Sequence, residues 1–426
     1  MKTIPKVARV QGSVTAPPSK SYTARAVILA GMTPTPVTIV RPLDSDDSRY
    51  AVEALRKIGY AVTGSLASEV TIGTRVSMSA NEIEVFVGNA GTAMRFLTGF
   101  LAFTPGRFLL TGETRMLERP IGDLADALRS IGAEIEYAGR EGFPPLHIRG
   151  KRMRGGFEMT ISGAVSSQFV SSLILAGATL AGGLTLRIES LASRPYVDIT
   201  RNILEEFGGR VETLSDGRLR VHEAHLVRDR YEVEGDYSSA SYWMAAAAVT
   251  GGEIRISGLR ENSAQGDRRF TEILELLGCQ VTWEDSTLII QGPEQLGGGI
   301  FDCNDTPDIV PTLAAIAPFA RAPIEIVNVA TLRVKESDRI ATVAAELRKL
   351  GAKVEEREDA LLILPGVSSD AAVIETHNDH RIAMSLAVAG LKRGGVSIAD
   401  EGVVSKSYPR FWRTLDELVQ SSQGLT

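Results

Sequence analysis

Arg333-Val334-Lys335-Glu336-Ser337-Asp338-Arg339 sets three cations and two carboxylates in seven consecutive residues. An amphipathic stretch, 340–350, follows at once. Asp338 or Ser337 suits its N-cap, because a short side-chain oxygen accepts from the N–H groups of a first turn. If that turn begins near Lys335, Lys335 and Arg339 share a face four residues apart, and Glu336 and Arg339 stand three apart. A glutamate fixed among cations at a helix start suits proton transfer beside a bound anion. Taken alone, the segment reads as a solvated, self-neutralising helix start. Other short basic motifs along the chain turn the argument toward a site.

Pro17-Pro18-Ser19-Lys20-Ser21-Tyr22-Thr23-Ala24-Arg25 is a turn feeding a helix, with Lys20, Ser21 and Arg25 in its first turns. Unpaired N–H groups and side-chain donors converge at such a place and bind anions, although a plain loop with surface cations has the same composition. Gly88-Asn89-Ala90-Gly91-Thr92-Ala93-Met94-Arg95 follows the same logic. Asn89 or Thr92 can cap, and Gly91 lets backbone approach a ligand closely; a tight turn with Arg95 in an ion pair is the other reading. Arg119, before Pro120, must be extended, and a rigid extended arginine clamps carboxylate or phosphate. Ser166, Ser167 and Gln168 open an apolar helix over 169–180 with neutral donors, of which ordinary capping accounts for one serine. Ser193-Arg194-Pro195-Tyr196 is a weaker instance.

Asp305-Thr306-Pro307-Asp308 opens a predicted helix over 309–320. Asp308 is either a cap or an ionised carboxylate able to take a hydroxyl proton. His377-Asn378-Asp379-His380-Arg381 precedes another apolar helix. Its two histidines lack the further ligands a metal site needs, so Arg381 reads as an anion grip and His380 as its orienter. Lys406 lies in Ser405-Lys406-Ser407-Tyr408-Pro409. There is no phosphate-binding G-x-x-x-x-G-K-[ST] loop, no dinucleotide G-x-G-x-x-G and no G-x-S-x-G nucleophile elbow.

The elements that must position these residues recur. An amphipathic helix, a glycine and a β-rich segment appear together at Gly59, Gly132, Gly208, Gly278 and Gly351, spaced 70 to 76 residues apart. Each glycine sits where a helix C-terminus wants a left-handed residue. A sixth, weaker helix, 411–419, has no strand pattern after it. Between these lie more apolar helices, predicted over 92–103, 167–179, 238–249, 309–320 and 383–391, which read as buried inner helices. Strands are predicted over 184–188, 253–256, 324–327 and 396–398. The period is too long for a solenoid repeat and suits a unit of several strands and two helices, used about six times. Six such units divide into two similar lobes, and active sites commonly lie between lobes.

The totals bound the class. A chain of 426 residues with 44% hydrophobic and 23% charged residues is ordinary for a globular protein of two or three domains. A net charge of −6 lacks the basic excess of a nucleic-acid binder, so any anion site must be a local concentration of Lys and Arg. Two cysteines without metal spacing or disulfide framework suit a reducing compartment. Met1-Lys2-Thr3-Ile4-Pro5-Lys6 shows no secretory h-region, and no apolar run reaches membrane-spanning length. The cytoplasm is the default compartment, and a monomer is assumed.

In order along the chain, Pro18-Ser19-Lys20-Ser21 to Arg25, Leu43-Asp44-Ser45-Asp46-Asp47, Gly88 to Arg95, Glu118-Arg119-Pro120-Ile121-Gly122, Val165-Ser166-Ser167-Gln168-Phe169, Arg333 to Arg339 and Asn378-Asp379-His380-Arg381 closely resemble the 5-enolpyruvylshikimate-3-phosphate synthases of the enolpyruvyl transferase family. The resemblance implies a two-lobed inside-out α/β barrel of six βαβαββ units, three per lobe. It implies a first lobe over 16–234, a second over 1–15 plus 235–426, and a site in the cleft that closes on substrates. It implies transfer of the enolpyruvyl group of phosphoenolpyruvate to the 5-hydroxyl of shikimate 3-phosphate by addition and elimination, with no metal or organic cofactor. Lys20, Ser21, Arg25, Ser166, Ser167, Gln168, Ser193, Asp308 and Lys335 would hold shikimate 3-phosphate. Lys20, Gly91, Arg119, Gln168, Arg339, Arg381 and Lys406 would hold phosphoenolpyruvate. Asp308 would take the 5-hydroxyl proton, Glu336 would protonate the methylene carbon, and Lys20 would complete the catalytic set.

Phe96 stands where many relatives have Pro, and Thr331 where some have Asn. Gly91 leaves the room that the family's inhibitor glyphosate needs, so inhibition is expected. The sister enzymes that use UDP-N-acetylglucosamine usually carry a Cys in the loop corresponding to 111–119, which has none here. A non-catalytic binder of small phosphorylated acids would need neither Asp308 nor Glu336.

Overall fold

In the computed structural model, which describes residues 1–423, the five repeat helices Asp46–Ile58, Gly122–Ser130, Pro195–Glu206, Phe270–Leu276 and Arg339–Lys349 each run into their expected glycine. Gly59, Gly132, Gly208, Gly278 and Gly351 all have φ between 84° and 105°, the left-handed conformation that only glycine adopts without strain. Strand follows each, and the pattern read from sequence holds.

The chain divides into two compact lobes. The first is Pro18–Val233; the second is Met1–Pro17 with the residues from Glu234 onward. Sheet order shows how the repeat is built. In the first lobe, Ile83–Phe86 runs parallel to Gly106–Thr111, which pairs antiparallel with Leu146–Gly150, which pairs antiparallel with Glu134–Tyr137. The parallel pair is joined by helix Gly91–Phe103, and helix Gly122–Ser130 leads into the hairpin, giving βαβαββ. Phe157–Gly163, Leu184–Leu191, Leu219–Val221 and Val211–Thr213 repeat that order. The remaining sheet of this lobe takes its parallel partner from far down the chain: Arg230–Glu232 pairs with Val37–Val40.

The second lobe repeats the device. Gln11–Thr15 runs parallel to Glu253–Ser257 and supplies the first strand of that repeat. Gly299–Asp302 opens a complete copy with Ile324–Val327, Leu361–Leu364 and Lys353–Glu356. The sixth repeat ends in helix Phe411–Gln423 with no hairpin, and Lys2–Ile4 pairs antiparallel with Val396–Ile398.

Each lobe buries three central helices: Lys20–Met32, Gly91–Phe103 and Ser167–Gly177 in the first, Tyr237–Thr250, Val310–Ile316 and His380–Arg393 in the second. Their sequences are mostly apolar or small, which suits a helix surrounded by protein. All fourteen residues of Tyr237–Thr250 are buried. One hydroxyl from each central helix of the second lobe meets its neighbour: Ser241 Oγ lies 3.2 Å from Thr312 Oγ1, which lies 3.2 Å from Ser385 Oγ. The chain satisfies these polar atoms inside an apolar core.

Two expectations need correction. The helix foreseen over 309–320 is broken into a 3-10 turn Pro307–Ile309, an α-helix Val310–Ile316 and a 3-10 turn Ala317–Phe319. Pro318 has no N–H to continue the ladder. The helix after the Arg333 motif begins at Arg339, not near Lys335, because Asp338 is the cap and accepts from Ala341 N at 3.1 Å. Lys335 lies in extended backbone at the end of a 3-10 turn, Ala330–Val334, so it shares no helix face with Arg339.

Candidate active site

In the second lobe the predicted residues gather around one buried guanidinium. Arg339, 1% exposed, occupies the first position of its helix. Its Nη1 donates to Asp308 Oδ1 at 2.9 Å, its Nη2 to Glu336 Oε2 at 2.8 Å and its Nε to Asp379 Oδ2 at 2.8 Å. Burial alone would weaken the cation, but Asp379, Glu336 and Asp308 outweigh it and hold the group above the ordinary arginine range. Arg381 reaches the other oxygen of Asp308, with Nη2 at 2.7 Å from Oδ2, and its Nη1 donates to the buried Tyr242 hydroxyl at 3.3 Å. Burial pushes that phenol up to about 12, against the pull of Arg381 and Arg339.

Asp308 is therefore no cap; its carboxylate lies between two arginines. Glu336 is three residues from Arg339 and bonded to it, as the spacing suggested, although it precedes the helix. Lys335 and Lys406 end the 3-10 turns Ala330–Val334 and Gly402–Lys406, each half-buried.

Asp379 was not among the expected site residues. It caps helix His380–Arg393 by accepting from Arg381 N at 3.0 Å, and it also accepts from Ser337 Oγ at 3.0 Å. A short acid ahead of an apolar helix was the available signal. What could not be read was that the same carboxylate reaches Arg339, forty residues away. His377 points elsewhere, with Nε2 at 3.0 Å from Glu346 Oε1. His380 is buried. Among the described residues no group of three His, Cys, Asp or Glu could hold a metal ion.

In the first lobe the residues fall at the N-terminal ends of the central helices. Ser19 caps Lys20–Met32 by accepting from Tyr22 N. Lys20 Nζ lies 3.4 Å from Oδ2 of the buried Asp47. Arg25 is wholly internal. Nε donates to Thr200 Oγ1 at 2.7 Å, Nη1 to Ser21 O at 2.9 Å and Nη2 to Tyr196 O at 2.8 Å. Burial pulls this guanidinium down to about 10. It ties the helix start to the segment that carries Ser193, a buried residue with φ of 55°. A non-glycine there is strained by roughly 1–3 kcal/mol, and such strain clusters at ligand sites. Phe96 stacks beneath Arg25, its ring centroid 5.1 Å from Cζ.

Arg119 is extended, as its proline requires, with φ of −90° and ψ of 123°. Its Nη1 donates to both the carbonyl and side-chain oxygens of Asn89 at 3.1 Å. A Cβ on Gly91 would lie 2.5 Å from Arg119 Nη2, so glycine is required for this approach. The cap of helix Gly91–Phe103 is Ala90, with no side-chain bond, rather than Asn89 or Thr92. Asn89 is occupied by Arg119, and Thr92 Oγ1 accepts from Gln168 Nε2 at 3.1 Å. Ser166 does cap Ser167–Gly177, accepting from Gln168 N. Cations, hydroxyls and helix N-termini make this end of the lobe suited to anions. A cavity of about 540 Å³ in the same lobe lies at the opposite ends of these helices, beside Met32, Phe103 and Leu180, and holds none of these residues.

Repeated βαβαββ elements around central helices, with arginines and paired carboxylates at the helix starts, define the enolpyruvyl transferase class. The family model of EPSP synthase (3-phosphoshikimate 1-carboxyvinyltransferase) matches residues 4–415. A curated protein named 3-phosphoshikimate 1-carboxyvinyltransferase from Tolumonas auensis is 40% identical over 416 residues, 96% of this chain and 97% of that protein. One of the same name from Methanoculleus marisnigri is 42% identical over 411 residues, 95% and 96%. A solved EPSP synthase from Acinetobacter baumannii matches at a TM-score of 0.82 and 28% identity, covering 99% of this chain and 97% of that one. The chain belongs to the EPSP synthase family. It is an enzyme, and among the described residues no helix is long and apolar enough to cross a membrane.

Proposed function

We propose a division of labour among these side chains for the family's reaction. The enzyme transfers the enolpyruvyl group of phosphoenolpyruvate to the 5-hydroxyl of shikimate 3-phosphate and releases phosphate, within aromatic amino acid biosynthesis. Glu336 donates a proton to the methylene carbon, which leaves C2 electron-poor. The 5-hydroxyl oxygen attacks C2 while Asp308 accepts its proton. In the second half Glu336 takes a proton back from the new methyl group, the C2–O bond to phosphate breaks, the proton held by Asp308 passes to the leaving phosphate, and the enol ether forms. Lys20, Arg119, Arg339, Arg381 and Lys406 compensate the charge of phosphoenolpyruvate, with Gly91 and Gln168 shaping its site. Lys20, Ser21, Arg25, Ser166, Ser167, Gln168, Ser193 and Lys335 hold shikimate 3-phosphate. Two anions repel, so fixed cations are required.

One observation carries this reading: Asp308 and Glu336 bond the same guanidinium, Arg339. A proton acceptor and a proton donor are thereby held to one rigid group, which a simple anion binder would not need. The nucleotide-sugar alternative is not favoured, since the family match is to EPSP synthase. Glyphosate is expected to inhibit in competition with phosphoenolpyruvate. A monomer in a reducing cytoplasm suits two buried thiols that form no disulfide.

The test is phosphate release from phosphoenolpyruvate by purified protein with chelator present. Shikimate 3-phosphate and UDP-N-acetylglucosamine are compared as acceptors. Release with shikimate 3-phosphate alone is expected. Release only with the nucleotide sugar, or binding without release, overturns the proposal.

A further inference from the structure

Asp267 is a buried carboxyl that the reaction above does not use. It lies in the 3-10 turn Gly266–Arg269 of the second lobe and is 3% exposed. Gln265, two residues before it, fixes the turn. Its Oε1 accepts from Tyr237 N at 3.0 Å, and its Nε2 donates to Glu234 Oε1 and Gly235 O, each at 2.7 Å. Asp267 Oδ2 accepts from the Ser238 hydroxyl in the first turn of helix Tyr237–Thr250. No protein group among the described residues reaches Oδ1, and no cation pairs with the carboxyl. A buried ionised carboxylate needs a cation or several N–H donors. One hydroxyl is too little, so this carboxyl is built to carry a proton.

Its neighbours are the reacting groups. Asp308 faces it from the turn Pro307–Ile309, Arg381 from helix His380–Arg393 and Asp236 from the cap of helix Tyr237–Thr250. The Cys303 thiol also lies within reach of the Asp267 charge, with Arg269 beside it. Burial and then the Asp308 charge push Asp267 up to about 7, with Arg381 opposing. Adjacent carboxyls do not ionise together cheaply. Asp308, bonded to two arginines, keeps the charge, and Asp267 keeps the proton.

We propose that Asp267 is a positioning residue whose neutral carboxyl keeps a further negative charge away from Arg381, so that Arg381 faces phosphoenolpyruvate paired with Asp308 and without added charge from Asp267. The inference rests on the assignment of Arg381 to phosphoenolpyruvate. Once Asp267 ionises, Arg381 is drawn toward it and the site repels an anionic substrate. The loss is in substrate binding, not in the chemical step.

The experiment measures KM for phosphoenolpyruvate and kcat from about pH 6 to about pH 9 in the wild type, Asp267→Asn and Arg381→Lys. Asparagine imitates the protonated acid and cannot ionise. Taking the ratio of wild type to Asp267→Asn cancels titration of the substrates and of all other groups. The ratio of KM values is expected to stay within about twofold at the acid end and to rise about five- to tenfold at the alkaline end, with an unchanged ratio of kcat values. A KM ratio that does not vary with pH, or a change confined to kcat, overturns the inference. A rise in KM in Arg381→Lys separates this failure from failure of the site assignment, under which that variant would bind phosphoenolpyruvate normally. If Asp267→Asn does not fold, the wild type still decides the matter. Infrared spectroscopy must show a protonated carboxylic acid at about pH 6 that is lost by about pH 9, and its absence overturns the inference.

Discussion

Arg339 and Asp308 lie thirty-one residues apart and meet at 2.9 Å inside the second lobe. The bond fixes one oxygen of Asp308; Arg381 fixes the other at 2.7 Å. A carboxylate held at both oxygens is oriented and stays ionised, the state a proton acceptor needs. Asp308→Asn is expected to lower kcat about 100-fold or more, while phosphoenolpyruvate still binds. Steady-state phosphate release with a binding titration checks this. A near-normal rate would remove Asp308 from the mechanism.

Glu336 shares Arg339 with Asp308, at 2.8 Å. Its assigned role leaves an isotopic trace. In deuterated water, a proton donor at the methylene carbon that later recovers a proton exchanges deuterium into phosphoenolpyruvate. Glu336→Gln is expected to abolish that exchange and to cut turnover by a similar factor of about 100. Exchange at the wild-type rate would assign the donor elsewhere.

Gly91 and Arg119 are tested by a single added methyl. In Gly91→Ala the new Cβ would meet Arg119 Nη2 at 2.5 Å and Cζ at 2.8 Å. The far end of a side chain yields more readily than backbone, so the protein folds and Arg119 moves off Asn89. KM for phosphoenolpyruvate is expected to rise about tenfold or more, since a shift of this size misplaces a clamp. Affinity for shikimate 3-phosphate is expected to change little. Equal losses for both substrates would contradict the assignment of Arg119.

Asp379 is a stability prediction. It is fully buried, caps helix His380–Arg393 and receives Arg339 and Ser337. Asp379→Asn breaks the buried ion pair to Arg339 Nε, at a cost of about 3–5 kcal/mol. Urea denaturation reads this directly. A change below about 1 kcal/mol would show that Glu336 and Asp308 suffice.

Asp267 links pH to stability with a definite sign. Its carboxyl is raised in the folded chain to about 7 from 3.8. A folded-state value above the unfolded one means the folded chain binds more protons between them. The stability this group contributes is present below the unfolded value and is lost as pH rises through about 7. Asp267→Asn is expected to gain on the wild type by on the order of 2–4 kcal/mol between about pH 4 and about pH 8. A constant difference in unfolding free energy across that window would sink the assignment.

The repeat was legible because it is local. A helix face recurs within one turn or two, and its closing glycine is required by one residue's own dihedral angle. Gly59 to Gly351 could therefore be found from spacing, and Asp338 or Ser337, and one serine of Ser166 and Ser167, could be read as caps from their neighbours. Arg119 was readable as extended from Pro120 alone. An apolar pattern with three prolines still reads as helix, so the break at 307–319 is not visible in it, and the spacing of Lys335 from Arg339 suits a helix that Asp338 in fact starts later.

What the sequence by itself determined is the set of elements, their order, and the residue types gathered at the helix starts. Tertiary structure decided which of those residues meet. Asp308, Asp379 and the Glu336–Arg339 pair come from separate segments, and only tertiary packing brings the three together. It also decided that Arg25 is internal and that Asp267, in an unremarked turn, stands beside Asp308. The physical reason is range. Backbone propensity and capping act over a few residues, whereas charge and burial act through space, between groups the chain order does not relate.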